Sequence, residues 1–502
     1  MVGKTGIEAP EALAPGSDVL TLRVVIVYIG IFGREAEGRV AMDIVRQLKH
    51  FLEPGSVAII GASRRTGEDA FNVLENLLSY GYKGRIYPVN PNASEILGIR
   101  TYTQVKELPE KVDLAVVSLP RSLVPEIVRQ CVDAGIPAIT IVTQGFADAD
   151  DDEGERLQEE IDGLIEGNGT RVLGPNTFGT ANAYINFSSS FIRMRMETLP
   201  VGLICQTGAF FVGFCDIRSV GKAIDLGNAC DIDLADGLEY YGQDPETKVI
   251  ALHIEGVRDG RRFLRAADRV SGTKPIIALK TGRSGRAAQA VRSHTGSLTG
   301  RDEVWDVALK RAGVIRVTNI EEFSDAIRAF LTLPLMSGKN VGIATYTGGF
   351  GIMGVDACEK SGLDLAELSP VTIEKLSALS PSWLAVGNPV DMWPGIMISG
   401  HSVFEMEKAA IQNLLSDQQV NAVLCIFAAN KPALHVELCQ LVEEAAREHP
   451  EKPLVFYIYG SFFSEVKNGL EATGKTLVFS SFDRAMRSLG HLGSYSQFRL
   501  EH

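Results

Sequence analysis

Ser56-Val-Ala-Ile-Ile-Gly-Ala-Ser-Arg-Arg-Thr-Gly67 joins a short apolar run to a turn bounded by two glycines. A run this brief and rich in β-branched residues reads as a buried strand. Residues 68–80 follow at once with the spacing of an amphipathic helix, so the stretch is a strand–loop–helix unit of the kind that builds parallel sheets. Strand-like runs recur at 85–89, 112–117, 137–142 and 171–173, and helical patterns at 122–134 and 151–166 lie between them. This alternation predicts a doubly wound α/β unit over 47–195, with its ligand at the carboxyl ends of the strands.

The pattern continues beyond that unit. Strand-like runs at 201–205, 249–254, 275–280 and 313–317 predict a second α/β unit over 196–335. Runs at 341–345, 422–428 and 454–459, with helices near 353–360, 403–415, 434–448 and 483–489, predict a third over 336–502. The Pro- and Gly-containing stretch 333–339 is the boundary between them. Residues 1–46 read as an extension holding one strand packed on a neighbour. Its apolar run, beginning Leu22-Arg23-Val24-Val25, is interrupted by Arg23, is too short to span a bilayer and lacks a small-residue cleavage site.

The chain has 502 residues and a formal net charge of -13, which argues against nucleic acid or an anionic membrane as partner. A polyanionic cofactor must therefore meet locally concentrated basic groups. Of seven cysteines without a CxxC pair, six lie among apolar or small neighbours and read as buried free thiols in a reducing cytoplasm. No histidine has metal-ligand spacing, so no metal site is expected. No Ser/His/Asp or nucleophilic cysteine arrangement stands out, and Cys205 reads as a buried strand-end thiol.

Each unit carries a glycine-rich loop after its first strand: Gly61–Gly67, Gln206-Thr207-Gly208-Ala209 and Tyr346-Thr-Gly-Gly-Phe-Gly351. Such loops let backbone amides approach a phosphate or carboxylate, and a following helix adds its positive end. The second and third loops read equally well as tight strand-to-helix turns. The first is more informative, because Arg64 and Arg65 can pair with phosphates. A nicotinamide cofactor is the competing reading. The second strand, however, ends at Asn90 rather than at the acid that would hold a ribose, and the Tyr102…Lys106 pair lies too early for a reductase.

The segment from Lys280 to Arg301 contains Lys280, Arg283, Arg286, Arg292 and Arg301 and no acid, a formal charge of +5 in 22 residues. At its centre stands Ser293-His294-Thr295-Gly296-Ser297. Thr299 and Asp302 have the spacing of a capping box, which predicts a helix from 301 to 311 just beyond the histidine. A neutral histidine with one free ring nitrogen is a nucleophile toward phosphoryl groups, and a carboxylate on the other nitrogen would orient it. Glu255, at the end of the run 249–254, is the candidate. The plainer readings are a capping or surface histidine and a solvent-facing strand-end acid. His253 reads as packing.

Taken in order, GASRRTG, YPVNP, VSLPR, TQGF, GPNTFG, QTGAF, IEGVRDG, SHTGSLTG and GNPVDMW resemble the ADP-forming acyl-CoA synthetases, relatives of succinyl-CoA synthetase, over roughly residues 48–495. The resemblance implies a Rossmann-like CoA-binding domain followed by two flavodoxin-like domains of an alpha-type subunit. It implies that His294 is the phosphorylated histidine and Glu255 its supporting acid. Gly61, Ser63, Arg64, Arg65 and Gly67 match the loop that holds the nucleotide end of coenzyme A. Asn90, Pro91, Ser118, Pro120, Gln144 and Asn176 match positions along the CoA and acyl channel, and Gln206, Thr207, Gly208, Ser293, Thr295 and Gly296 the phosphate and acyl site.

Three departures accompany the match. Asn92 stands where the family often has lysine, Cys205 opens a loop that usually begins with serine, and Tyr346-Thr347 replace an asparagine before the third glycine pair. No segment resembles an ATP-grasp domain. The expectation is therefore a hetero-oligomer in which a separate ATP-grasp (beta) subunit holds ATP or ADP with Mg2+, acting on a small carboxylic acid. The alternatives are a CoA-binding subunit of another acyl or carbamoyl transfer complex, or a non-catalytic acyl-CoA sensor. Phe178, Phe210, Phe211 and Trp393 read either as the floor of a bulky acyl pocket or as core.

Overall fold

In a computed structural model, the structure describes residues 42–287, 301–430 and 434–502. Three largely parallel sheets form its frame. The first has the order Arg85–Val89, Ser56–Ile60, Leu114–Val117, Ala138–Ile141, Arg171–Leu173, all parallel. The chain starts in the second of these and then builds outward in both directions. The strand order thus reverses between Ser56–Ile60 and Leu114–Val117, which is where such sheets bind ligands.

The second sheet has seven strands, with the parallel series Ile315–Val317, Ile276–Lys280, Val249–Ile254, Val201–Cys205, Lys222–Asp225 continued by Thr180–Asn182 and Phe187–Ser188 as antiparallel neighbours. Its reversal lies between Val201–Cys205 and Val249–Ile254. The third sheet runs Asp364–Leu365, Asn340–Thr345, Ala422–Ala428, Leu454–Tyr459, Leu477–Phe479, with Val390–Asp391 beside the end of Asn340–Thr345.

The division expected at residues 46/47 and 195/196 is crossed twice. Residues 42–52 form a helix whose Ile44, Leu48, Phe51 and Leu52 are buried in the core shared by the first two sheets. Its last turn is bound from the second sheet: Thr180 Oγ1 donates to the Phe51 carbonyl at 2.6 Å, and Asn182 Nδ2 to the Leu52 carbonyl at 3.0 Å. Residues 180–188, expected in the first unit, are strands of the second sheet for the same reason, since their polar groups find partners there. The strand expected within the extension falls in residues 1–41, outside the described residues.

Helix Phe482–Glu501 is far longer than the pattern at 483–489 suggested, because it packs on helix Ile320–Thr332 of the second unit. Arg484 makes two 2.7 Å bonds to buried Asp325, and His491 lies 3.0 Å from buried Glu322. The seven cysteines are all free: five are buried, Cys215 is exposed and Cys439 half-buried. Among the described residues no helix is long and apolar enough to cross a membrane.

Candidate functional site

The first loop is held from beneath by two asparagines. Asn72 caps helix Val73–Tyr80 with its Oδ1, while its Nδ2 reaches back to the carbonyls of Ser63 at 3.1 Å and Arg65 at 2.7 Å. Asn90, at the end of the neighbouring strand, donates to the Ala62 carbonyl at 3.0 Å. The loop is thereby shaped without using the exposed side chains of Arg64 and Arg65, which stay available to an anion. Only glycine fits its first position: Gly61 has φ 87°, and a Cβ there would sit 2.2 Å from the Ser118 carbonyl oxygen. The helix expected over 68–80 is broken by Phe71, which takes a left-handed conformation between a short 3-10 turn and Val73–Tyr80.

Ser118, Pro120, Gln144 and Asn176 follow three successive strands of the first sheet, so they share one edge with Gly61, Asn90 and Pro91. Thr143 stitches that edge: its Oγ1 donates to the Leu119 carbonyl at 2.7 Å, and its carbonyl accepts from the Asn176 amide at 2.9 Å. Ser118, Pro120 and Gln144 are exposed there.

The loop carrying Asn176 joins this edge to that of the second sheet. The Phe178 amide donates to buried Asp225 at 2.7 Å, and the Phe178 ring lies where a Cβ on Gly208 would need to be, at 2.4 Å. Burial pushes the Asp225 carboxyl up to about 6, although the amides of Phe178 and Gly227 pull it down. Sequence reasoning missed Asp225 and Asn72 alike; the Asn at a helix start was the available signal for the second.

At the reversal of the second sheet, Gln206 and Glu255 stand side by side. Gln206 is buried, and its Oε1 accepts from the amides of Glu255 at 2.7 Å and Gly256 at 3.2 Å. Lys280, at the end of the next strand, donates to the Glu255 carbonyl at 2.9 Å and to the Thr281 carbonyl, with its ammonium 5.3 Å from the centre of the Trp305 ring. Burial, with the nearby Arg316 charge, lowers the Lys280 ammonium to about 8. Glu255 is thus a buried carboxylate on a strand end clamped from both sides.

Ser293, His294, Thr295 and Gly296 lie outside the described residues. The basic stretch around them is not one cluster. Lys280 is buried, whereas Arg283 reaches Asp302 at 3.3 Å. Thr299 of the expected capping box also lies outside the described residues; helix Asp302–Arg311 has Arg301 as its cap residue, which makes no side-chain cap bond. The Asp302 carboxylate accepts from Arg316 and Arg283, two charged donors. The second glycine loop lacks the expected helix: Gly208–Val212 is a five-residue 3-10 turn. The third does open a helix, Gly348–Lys360, capped by Thr347. Phe210 and Phe211 are buried core, Phe178 is half-buried against Phe191, and Trp393 is exposed on the third unit. His253 is buried with its ring 4.8 Å from that of Phe210.

The sequence matches three family models in succession: a CoA binding domain over residues 55–183, a succinyl-CoA ligase like flavodoxin domain over 199–330 and a Ligase-CoA domain over 341–473. It is 33% identical to acetate–CoA ligase [ADP-forming] I subunit alpha of Pyrococcus furiosus, over 91% of this chain and 99% of that one. The chain belongs to the ADP-forming acyl-CoA synthetase family. A longer member, acetate–CoA ligase [ADP-forming] II of Archaeoglobus fulgidus, is 34% identical over 91% of this chain and 68% of its own length. Among solved structures of the family, the dinucleotide forming acetyl-coenzyme A synthetase 1 of Ca. Korarchaeum cryptofilum, in complex with phosphate and ADP, has a TM-score of 0.79 at 28% identity, covering 90% of this chain and 97% of that one.

Against this family, the departures in sequence have clear places. Asn92 is exposed and its amide closes a turn on Asn90 Oδ1 at 2.9 Å. The Cys205 thiol is buried beside Asp225 at 3.7 Å, and burial keeps it well above the ordinary thiol range. Tyr346 turns inward, stacks on Phe427 and donates to Glu407, a fully buried carboxyl that desolvation raises to about 7.

Proposed function

We propose that this chain is the CoA-binding, phosphohistidine-bearing subunit of an ADP-forming acyl-CoA synthetase acting on a small carboxylic acid. A separate ATP-grasp subunit holds ATP or ADP with Mg2+; the match to nearly the whole of a relative named subunit alpha supports that division. The observation that carries the reading is the clamped strand end at Glu255, beside a strand that leads through Lys280 toward His294.

In the ligase direction, a ring nitrogen of His294 takes the γ-phosphoryl of ATP: a P–N bond forms and the P–O bond to ADP breaks. The substrate carboxylate then attacks that phosphorus, the P–N bond breaks and an acyl phosphate results. Coenzyme A supplies the thiolate that displaces inorganic phosphate from the acyl carbon. Glu255 accepts the other ring N–H of His294 and stabilises the positive charge of the phosphorylated ring. Thr207, Gly208, Ser293, Thr295 and Gly296 offer hydroxyls and amides to the transferring phosphoryl group.

The first loop suits coenzyme A. Its backbone is braced by Asn72 and Asn90, so Arg64 and Arg65 meet the nucleotide phosphates while Gly61 and Gly67 let amides come close. Ser63, Pro91, Ser118, Pro120, Gln144 and Asn176 continue along the same edge toward the acyl end.

The test is incubation with the ATP-grasp subunit, Mg2+ and labelled ATP. Acid-labile, base-stable phosphate is expected on the wild type, none on His294→Ala and at least tenfold less on Glu255→Gln. Label that persists in His294→Ala overturns the assignment. A chain that only sensed acyl-CoA would bind CoA and take no label.

A further inference from the structure

Helices Gly260–Ser271 and Asp302–Arg311 leave between them an open groove of about 970 Å³ on the face of the second unit. Its floor is aliphatic. Val304 and Val307, one turn apart on the same helix face, are 60% and 72% exposed, and Leu264 is half-buried across from them. A single exposed valine is ordinary, whereas two on one helix face between charged walls offer a partner an apolar contact. The walls are charged and net basic: Arg261, Arg265, Arg301 and Arg311 stand against Asp268 and Glu303. Arg261 and Arg265 from one helix and Arg311 from the other are exposed and form no ion pair among the described residues. That is unusual in a chain of net charge -13, where carboxylates outnumber the cations available to them.

We propose that this groove docks the ATP-grasp subunit, which seats in it an apolar segment flanked by carboxylates. The inference rests on the function proposed above and names the surface through which that function is shared. Position selects this occupant over others. The helix that carries Val304 and Val307 starts at Asp302, and His294 is only seven residues before Arg301 at the groove's end. Seven extended residues reach roughly 25 Å at most, so a nucleotide site that exchanges phosphoryl with His294 must come within that distance of the groove. The arginines match a segment bearing carboxylates and would speed its encounter, while the valines supply the desolvated centre.

The test compares the full chain with Val304→Asp/Val307→Asp and with Arg261→Glu/Arg265→Glu, titrating each with the separately expressed ATP-grasp subunit by calorimetry. The valine variant should bind at least 100-fold more weakly. The arginine variant should associate about tenfold more slowly and lose most of its salt dependence. Both should keep wild-type CoA affinity and melting temperature, which shows the fold intact. Wild-type affinity for the ATP-grasp subunit in the valine variant overturns the docking site, as does loss of self-association in place of partner binding, or no wild-type complex at all. A wild-type complex broken by these variants but forming no acid-labile phosphate on His294 would leave the docking site standing and sink the phosphohistidine reading.

Discussion

Lys280→Met removes a buried ammonium while keeping most of its stem, and the sign of its effect depends on pH. In the folded chain Lys280 is 2% exposed, and burial reinforced by Arg316 lowers its ammonium from the ordinary 10.5 to about 8. Below pH 8 both folded and unfolded chains carry the charge, and the folded state bears the full cost of burying it. Between about 8 and 10.5 the folded lysine is neutral while the unfolded one still holds its proton, so stability rises with pH across that window. At about 1.4 kcal/mol per pKa unit, the gain is about 3 kcal/mol. Methionine escapes that cost at pH 7 but forfeits two hydrogen bonds from a charged donor, each worth roughly 1.5–3 kcal/mol. The two nearly cancel, and Lys280→Met should lie within about 2 kcal/mol of wild type at pH 7. Guanidinium unfolding of both proteins at half-unit steps from pH 7 to 10.5 measures the difference, in which other titrating groups drop out. Wild type should gain on the variant by about 3 kcal/mol over that range. A difference that stays flat with pH would refute a charged, desolvated lysine at this strand end.

Gly61→Ala puts a Cβ 2.2 Å from the Ser118 carbonyl at φ 87°, and should cost about 2–4 kcal/mol and weaken CoA binding at least tenfold by calorimetry. Gly67→Ala meets nothing within 4 Å and bears only backbone strain, so about 1–2 kcal/mol is expected there. Glu322 is held down to about 2, against its own burial, by His491 and Thr318. Its folded value lies below the unfolded one, so its stabilisation is complete above pH 4.5 and is lost as pH falls toward 2. Glu322→Gln should flatten that acid limb by roughly 2.5 kcal/mol in melts recorded from pH 5 to 2.5.

Much of the candidate site is legible in the sequence because its signals are local. An apolar run followed by glycine marks a strand end, and strand ends on one edge of a parallel sheet lie together, which brings Gly61, Asn90, Ser118, Gln144 and Asn176 onto one line. The failures were also of a kind. Asp302 reads in the sequence as a helix-start acid, yet it binds Arg283 and Arg316, which sequence spacing does not count. The five basic residues from Lys280 to Arg301 look alike in a row, yet one is buried beneath Glu255 and another is neutralised by Asp302.

By itself, then, the amino-acid order determined three α/β units and the loops at their strand ends, since periodicity and turn chemistry act over a few residues; it offered Glu255 as a candidate partner of His294. Only the tertiary structure decided how Glu255 is held. Gln206 reaches it across 49 residues and Lys280 across 25, through bonds whose strength comes from the burial that folding creates.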